Sequence, residues 1–338
     1  MKWFFYILSL LLFSCQQKQS TIDTTLQTKV DSILQNKISE INAISGQVIV
    51  MEAKTGEIKA MVGNGISQES GLIRTASLLA ALETGKVKLS DTIDVGEGVY
   101  MVHNRELLDH NWHRGGYGKL TTLQGLMVNS HIANYKNIER AFTEEQVYFD
   151  MLNKMSYGQP ENIEGLDSLK AAYFVTPNDS GWNNTSLAWF CIGYNQRISP
   201  IQMLTFYNAI ANNGKMVKPT LYKGETEVIN PQIASKANID SLQMALVKVV
   251  TEGLGKPAQS EKVQVAGVSG GSQISTEEDN SEGRVNTIYS VEYCGYFPAE
   301  NPKYSIIVSI NKVGLPASGN LMAGSVFKEI VDYIEANK

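Results

Sequence analysis

Residues 46–62 read GQVIVMEAKTGEIKAMV. Two apolar, β-rich runs flank the turn residues AKTG, which predicts one strand over 46–51 and a second over 57–62. Near the other end of the chain, two more β-rich runs, 289–297 and 303–313, are separated by the turn PAENP. We therefore expect a hairpin near the N-terminus and strands near the C-terminus to form an antiparallel sheet.

Helical patterns fill most of the chain between and around these strands. Apolar residues from Leu26 to Ile41 recur at helical spacing, the runs 120–133 and 200–212 are also helical in pattern, and a last amphipathic helix is predicted over 325–336. The expected fold class is α/β (α+β). Its antiparallel sheet is formed by the N- and C-terminal segments, flanked by helices, with an inserted helical subdomain.

The first residues, MKWFFYILSLLLFSC, predict a secretory signal peptide over 1–15. The apolar run 3–13 would span about 16 Å as a helix, against about 30 Å of bilayer hydrocarbon. The end of this stretch resembles a bacterial lipobox with Cys15 as the lipidated residue; a cleaved soluble signal and an uncleaved anchor are the alternatives. Residues 16–45 are predicted to be a polar tether and an amphipathic helix, followed by a domain over 46–338.

Composition excludes some classes of partner. The net charge is −5 and no block of Lys or Arg stands out, so nucleic acid is not an expected partner. Cys191 and Cys294 lie in apolar contexts, which predicts buried free thiols rather than a disulfide or a reactive thiol. No cofactor is expected.

Several segments, taken together, resemble the transpeptidase domain of class B penicillin-binding proteins. They occur in that family's order and cover residues 46–62, 78–95, 193–221, 250–258 and 294–310. The resemblance implies a β-lactamase/transpeptidase-like fold and a location in the bacterial cell envelope, lipid-anchored and facing the periplasm. It also implies a serine enzyme that acts on peptidoglycan peptides through three motifs meeting in a cleft.

The first family motif is a serine and a lysine three residues apart at the start of a helix. The stretch 70–85 reads SGLIRTASLLAALETG, and counting back from AALE places Gly71 at the serine position and Arg74 at the lysine position. Glycine has no oxygen to acylate. Arginine stays protonated in proteins, so it does not act as a general base.

The second family motif, serine-x-asparagine, follows a phrase like LTTLQGLMV. Here it reads Asn129, Ser130, His131, so the hydroxyl and the amide are both replaced. Ser130 does not restore the motif by a shift of one place, because Ile132 would then stand at the asparagine position.

The third family motif, lysine-threonine-glycine, should follow VQVAG. The chain reads Val268, Ser269, Gly270 there, so the cation that would hold a carboxylate is absent. The small residues Ser269 and Gly270 suit a strand edge that pairs with an extended peptide.

Other residues imitate the motifs in the wrong order along the chain. Residues 54–56 spell KTG in the hairpin turn, 318–320 spell SGN, and 325–328 spell SVFK, where Ser325 is interpreted as a helix N-cap. A displaced nucleophile is a further alternative, with these candidates: Ser70, Ser77, Ser269, Ser272. The histidines are interpreted as solvent-facing loop residues, with His131 filling the second motif position, and a metal site among them is the alternative.

Two functions from different classes follow. The first is a catalytically inactive protein that binds peptidoglycan stem peptide or a cell-wall synthesis or division protein, with no catalytic residue in the motif positions. Its candidate binding residues in the cleft are Arg74, Asn129, Ser130, His131, Ser269 and Gly270. The second is an active D,D-transpeptidase or D-Ala-D-Ala carboxypeptidase that uses a displaced serine. A noncovalent sensor of wall peptides or β-lactams, with Arg74 as its cation, is a third possibility.

Overall fold

The computed structural model of the 338-residue chain describes residues 18–63, 67–275 and 287–338, apart from the side chain of Ser275. The signal peptide over 1–15 and its Cys15 lie outside the described residues. Among the described residues, no helix combines the length and the hydropathy that crossing a membrane requires. Cys191 and Cys294 are both buried free thiols, as predicted.

The strands include five long or central ones and several short pairs. In chain order they are β1 (Ala43–Glu52), β2 (Ile58–Gly63), β3 (Thr92–Gly96), β4 (Val99–Val102), β5 (Arg105–Leu108), β6 (Gly118–Thr121), β7 (Tyr173–Phe174), β8 (Gln196–Arg197), β9 (Met216–Val217), β10 (Val228–Asn230), β11 (Ala266–Ser275), β12 (Thr287–Phe297) and β13 (Tyr304–Val313).

Helices occur near both ends of the chain and throughout its middle. They are α1 (Thr24–Glu40), α2 (Ile73–Glu83), α3 (Thr122–Met127), α4 (His131–Ala141), α5 (Glu145–Lys154), α6 (Ser186–Phe190), α7 (Pro200–Ala211), α8 (Lys236–Thr251) and α9 (Gly324–Ala336).

The central sheet joins the two ends of the chain, as the sequence predicts. Its strand order is β11-β12-β13-β1-β2 and every pairing is antiparallel. Strand β1 pairs with β13 so that Val48 lies opposite Val308, and β11 is an edge strand. The mixed fold with a central antiparallel sheet and flanking helices is therefore confirmed.

Both faces of this sheet are covered by helices. Alternate residues of β1 point to opposite faces: Val48 and Val50 pack in a cluster with α1 and α9, whereas Ile49 and Met51 pack in the larger cluster that contains α2 and α7. Because both faces are covered at residues 48–51, this part of β1 is continuously apolar (VIVM) instead of alternating.

The run 120–133 is not one helix, which corrects the prediction. Residues 120 and 121 end β6, α3 stops at Met127, and Asn129 adopts a left-handed conformation with a φ of 54°. Ser130 then caps α4 by accepting a hydrogen bond from the Ala133 N–H. Asn tolerates this conformation better than most residues and Ser is a preferred N-cap, so the local chemistry breaks the helix in two.

The residues predicted to be a tether lie against the domain from Lys18 onward. The Thr21 hydroxyl is buried and donates to the Ile58 carbonyl at 2.8 Å, and the Thr21 N–H donates to the Leu221 carbonyl at 2.9 Å. This segment and α1 therefore form part of the packed structure.

Asn208 of α7 joins this helix to the sheet. Its Nδ2 donates to the Ala53 carbonyl at 3.0 Å, and its Oδ1 accepts from the Ser305 hydroxyl at 2.7 Å, with all three residues buried. We expect Asn208→Ala to lower the free energy of unfolding by about 2–4 kcal/mol, because two buried polar groups lose their partner. Urea denaturation measures the change.

Asn212→Ala, at the exposed end of the same helix, is the matched control and should change the free energy of unfolding by less than about 1 kcal/mol. Equal losses in the two variants would contradict the role assigned to Asn208.

Candidate functional site

The start of α2 is held by the turn that precedes β8. The Ser70 N–H donates to the Gly193 carbonyl at 3.1 Å, and Gln196 Nε2 donates to the Ser70 carbonyl at 3.0 Å. Gly193 has a φ of 125° and packs on the Ser70 backbone so closely that a Cβ would lie 2.7 Å from it. This turn therefore requires glycine and fixes the position of the residues before the helix.

Gly71 lies in direct contact with the backbone of strand β11. A Cβ atom on Gly71 would lie 2.6 Å from the Gly271 carbonyl oxygen and 2.9 Å from its nitrogen. A Cβ on Gly270 would lie 2.8 Å from the Leu72 nitrogen. Residue 71 therefore has no space for a side chain, and the room that a nucleophile would need is filled by main chain.

Arg74 is buried beneath this contact, with 7% of its surface exposed. Its Nη2 donates to the Ser269 carbonyl at 3.4 Å. Burial lowers the pKa of Arg74, while the nearby carboxyls of Glu292 and Asp109 act in the opposite direction. A guanidinium keeps its proton even under such conditions, so Arg74 is a buried cation and not a base.

Asn129 and Ser130 approach from the helical side. Asn129 Nδ2 donates to the Ser269 hydroxyl at 2.8 Å, which bridges the loop to β11. The Ser130 hydroxyl donates to Asp109 Oδ2 at 2.7 Å while it caps α4. The cavity beside Arg74, Asn129 and Ser130 measures about 10 Å³, room for at most one water molecule.

His131 is neutral, and its ring hydrogen-bonds to the main chain at the end of β5. Its Nδ1 lies 2.9 Å from the Leu108 carbonyl, so this nitrogen carries the proton. Burial, with a smaller contribution from Arg74, lowers the pKa of His131 to about 3. The ring therefore carries no charge near neutral pH.

At the third motif, Val268 takes no part in the site, whereas the two residues that follow it do. Val268 is 2% exposed and belongs to the hydrophobic core. The Ser269 carbonyl accepts a hydrogen bond from Arg74, and its hydroxyl accepts one from Asn129. Gly270 packs on Leu72. The structure therefore brings Gly71, Arg74, Asn129, Ser269 and Gly270 together, and it closes the space between them.

Comparison with known proteins identifies the family of this chain. The profile of the family described as penicillin binding protein transpeptidase domain matches residues 46–332. The chain belongs to this family.

Relatives and solved structures agree with this assignment. PbpB of Mycolicibacterium smegmatis is 24% identical over 94% of this chain and 54% of its own length. Peptidoglycan D,D-transpeptidase FtsI of Escherichia coli is 21% identical over 90% of this chain and 53% of its own. The chain thus spans about half the length of the curated relatives it matches.

Among solved structures, the apo transpeptidase domain of Burkholderia pseudomallei penicillin-binding protein 3 superposes with a TM-score of 0.81. It is 21% identical and covers 96% of this chain and 97% of that one. Penicillin-binding protein 3 of Mycobacterium tuberculosis, complexed with aztreonam, gives a TM-score of 0.79 at 21% identity, over 95% and 79% of the two chains. These likenesses show the transpeptidase fold.

Two carboxyls beside the transpeptidase motif positions were not identified from the sequence. The Ser70 hydroxyl donates to Glu292 Oε2 at 2.6 Å, and burial raises the pKa of Glu292 to about 7. Burial also raises the pKa of Asp109, which accepts from Ser130 and the Ile132 N–H. A lone glutamate inside the apolar run YSVEYCGYF signals Glu292; no comparable pattern signals Asp109.

The other candidate hydroxyls have local partners. Ser77 lies 2.7 Å from the Tyr148 hydroxyl, and Ser272 donates to the Glu69 carbonyl at 2.7 Å. None of these contacts provides a base. Among the candidate serines, only Ser70 has a described side-chain base within hydrogen-bond distance.

The formal motif matches elsewhere have structural roles, with one correction. Residues 54–56 lie in the turn between β1 and β2, and Ser318 caps the π-helical turn Gly319–Ala323. Ser325 is not an N-cap: it lies inside α9 and donates to the Met322 carbonyl at 2.9 Å. The helix continues directly from the π-helical turn, so it begins before Ser325.

The remaining histidines are His103, His110 and His113, and His110 Nε2 lies 3.1 Å from the Tyr117 hydroxyl. Within residues 18–63, 67–275 and 287–338, no group of three His, Cys, Asp or Glu side chains is placed to hold a metal ion.

We expect Gly71→Ser to destabilise the protein by about 1–3 kcal/mol, because the new Cβ overlaps the Gly271 main chain. Thermal and urea unfolding measure the effect. Gly181→Ser is the control, since a Cβ there meets nothing within 4 Å. Equal stability of the two variants would show that β11 moves away from α2 without penalty.

We expect Glu292→Gln to change how stability depends on pH. The folded-state pKa of about 7 exceeds the ordinary value of 4.5, so the contribution of Glu292 is fully present below pH 4.5 and is lost as pH rises through 7. The variant should gain about 3 kcal/mol relative to wild type between pH 4.5 and 8.

Urea unfolding across this range measures the free energy of unfolding of both proteins. His131 makes a contribution with the opposite pH dependence in each of them, and it cancels when one curve is subtracted from the other. The exposed Glu300→Gln controls for the loss of one carboxylate. Parallel stability curves for wild type and Glu292→Gln would contradict a buried carboxyl at this position.

Proposed function

We propose that this chain is a catalytically inactive transpeptidase-like protein of the bacterial cell envelope that binds a cell-wall synthesis or division partner. The observation that carries this proposal is the contact of Gly71 with the Gly271 backbone. Glycine at this position has no hydroxyl, and the contact leaves no space for a side chain that would carry one. A peptidoglycan stem peptide is the other proposed partner, and the closed motif cleft disfavours it at that position.

Acyl transfer by this family needs groups that the chain lacks in the motif positions. A serine ester requires a nucleophilic hydroxyl, a base to take its proton, and donors for the oxyanion. Gly71 offers no hydroxyl, Arg74 is a cation, and Val268 supplies no charge for a substrate carboxylate. Groups that act as one catalytic unit are non-additive, so after nucleophile and base are gone the further losses change the rate little.

The location is part of the proposal. Two relatives are named as a probable peptidoglycan D,D-transpeptidase and a peptidoglycan D,D-transpeptidase. Peptidoglycan is the polymer of the bacterial cell wall, so these names support an envelope location. We propose a lipid on Cys15 as the attachment to the membrane, with the domain facing the periplasm.

A displaced nucleophile is the second candidate function, and one contact favours it. The Ser70 hydroxyl donates to Glu292, whose pKa of about 7 suits a general base. In such a D,D-transpeptidase, Ser70 Oγ would attack the penultimate D-Ala carbonyl, Glu292 would take the hydroxyl proton, and D-Ala would leave. Ser70 is 1% exposed, so this chemistry requires β11 to separate from α2.

A labelling experiment separates the two functions. We expect no covalent adduct when the full chain is incubated with fluorescent penicillin under conditions that label penicillin-binding protein 3 of Mycobacterium tuberculosis completely. Gel fluorescence and intact-protein mass spectrometry measure it. The reason is that no accessible hydroxyl stands at residue 71.

A stoichiometric adduct would contradict the inactive assignment. Peptide mapping to Ser70, with loss of labelling in Ser70→Ala and not in the matched buried variant Ser77→Ala, would establish the second candidate instead.

A further inference from the structure

The first described residues of the chain are fixed to the domain by main-chain hydrogen bonds. Residues 18–23, which we call the N-terminal strap, add a short antiparallel ladder to the domain surface. The Lys223 N–H donates to the Gln19 carbonyl at 2.8 Å, and Ser20 pairs with Tyr222 in the same ladder. Because these bonds join main chain to main chain, the strap has a defined course along the domain.

Thr21 is the buried anchor of the strap, with 4% of its surface exposed. Its hydroxyl donates to the Ile58 carbonyl at 2.8 Å, and the Thr220 carbonyl lies 3.1 Å from the same oxygen. At the start of the strap, Lys18 pairs with Glu164 at 2.6 Å, but both side chains are exposed and such a pair contributes little. The buried hydroxyl and the ladder therefore hold the strap in place.

The strap continues into contacts that cover the outer edge of β2, which is an edge strand of the central sheet. The Asp23 N–H donates to the Lys59 carbonyl at 2.9 Å. In α1, the Gln27 side chain donates to the Met61 carbonyl and accepts from the Met61 N–H, both at 2.7 Å. From Lys18 to α1 the chain therefore follows the β2 edge and satisfies main-chain groups that an edge strand otherwise leaves unpaired.

The length of chain between Cys15 and the strap limits how far a lipid on Cys15 can lie from this edge. Lys18 follows Cys15 by three residues, and three fully extended residues span at most about 11 Å. The other edge of the sheet, β11, is four strand spacings from β2, which is about 19 Å. A lipid on Cys15 is therefore within reach of the β2 edge and much farther from the β11 edge.

We propose that the N-terminal strap holds the domain on the membrane with its β2 edge toward the lipid headgroups and its β11 edge away from them. This orientation rests on the lipid on Cys15 proposed above. A long flexible tether would let a domain turn any face to the membrane, whereas the strap removes that freedom from Lys18 onward. The motif positions near β11 would then lie on the side of the domain that faces away from the lipid.

Energy transfer from the domain to the membrane tests this orientation. The full chain is expressed, purified from membranes, and reconstituted in phosphatidylcholine vesicles in which a small fraction of the lipid headgroups carries an acceptor dye. The donor dye is attached to p-azidophenylalanine placed at one of two exposed residues: Lys223, beside the strap, or Glu252, after α8 on the β11 side. We expect transfer from residue 223 to be at least about twofold more efficient, because the two edges are about 19 Å apart.

Variants then test the strap itself. A 20-residue Gly/Ser insertion before Lys18 should make transfer from the two positions equal, because such a linker has a root-mean-square length of about 25 Å. Thr21→Pro removes both the N–H and the hydroxyl that bind the domain, so it should reduce the difference as well. Thr24→Pro is the matched control and should keep the wild-type difference, since proline is favoured at the first position of a helix. Thermal unfolding checks each fold.

Equal transfer from the two positions in the protein without the insertion would overturn the orientation, and so would a difference that survives the insertion. Intact-protein mass spectrometry of the same samples detects the lipid separately. If Cys15 carries no lipid, the proposed attachment fails, and the Cys15 thiol is coupled to a maleimide lipid in the vesicles, since Cys191 and Cys294 are buried. In that form the twofold difference supports the role of the strap and equal transfer overturns it, so the two proposals fail separately.

Discussion

The arrangement of the site depends on one close approach, between the main chain before α2 and the main chain of β11. Glycine at residues 71 and 270 allows it, because a Cβ at either place would overlap backbone atoms. Once the two segments touch, Arg74 reaches the Ser269 carbonyl and Asn129 reaches its hydroxyl. A catalytic serine needs a Cβ at the same point, so this packing and serine catalysis at residue 71 exclude each other.

The contact also brings charge into the interior. Burying a guanidinium costs several kcal/mol unless hydrogen bonds and opposite charges compensate. The carboxyls of Asp109, in the helical part, and Glu292, in the sheet, both act against the lowering of the Arg74 pKa by burial. Each is itself hydrogen-bonded to a serine, Ser130 and Ser70 respectively. Arg74 and Asn129 both reach Ser269, and these hydrogen bonds join the helical part to the sheet.

Some of this architecture could be predicted from sequence and some could not. The hairpin of β1 and β2 was predictable because a short apolar run on each side of a turn specifies its own pairing. The break at Asn129 was missed because apolar spacing continues through it, and only a left-handed residue next to a cap marks it. Gly71 and Arg74 could be located from neighbouring residues. The contact with Gly271 could not, since it joins segments 200 residues apart in the chain.

Fold and chemistry are separable in this molecule because they rest on different residues. The sheet is stabilised by apolar clusters on its two faces, and the transpeptidase fold is kept at 21% identity with the Burkholderia domain. The motif positions lie where the edge strand β11 meets the start of α2 and the loop before α4, and all of them except Val268 lie outside both clusters. Filling the cleft adds contacts between β11 and the start of α2. A role based on binding would therefore rely on surfaces outside the motif cleft.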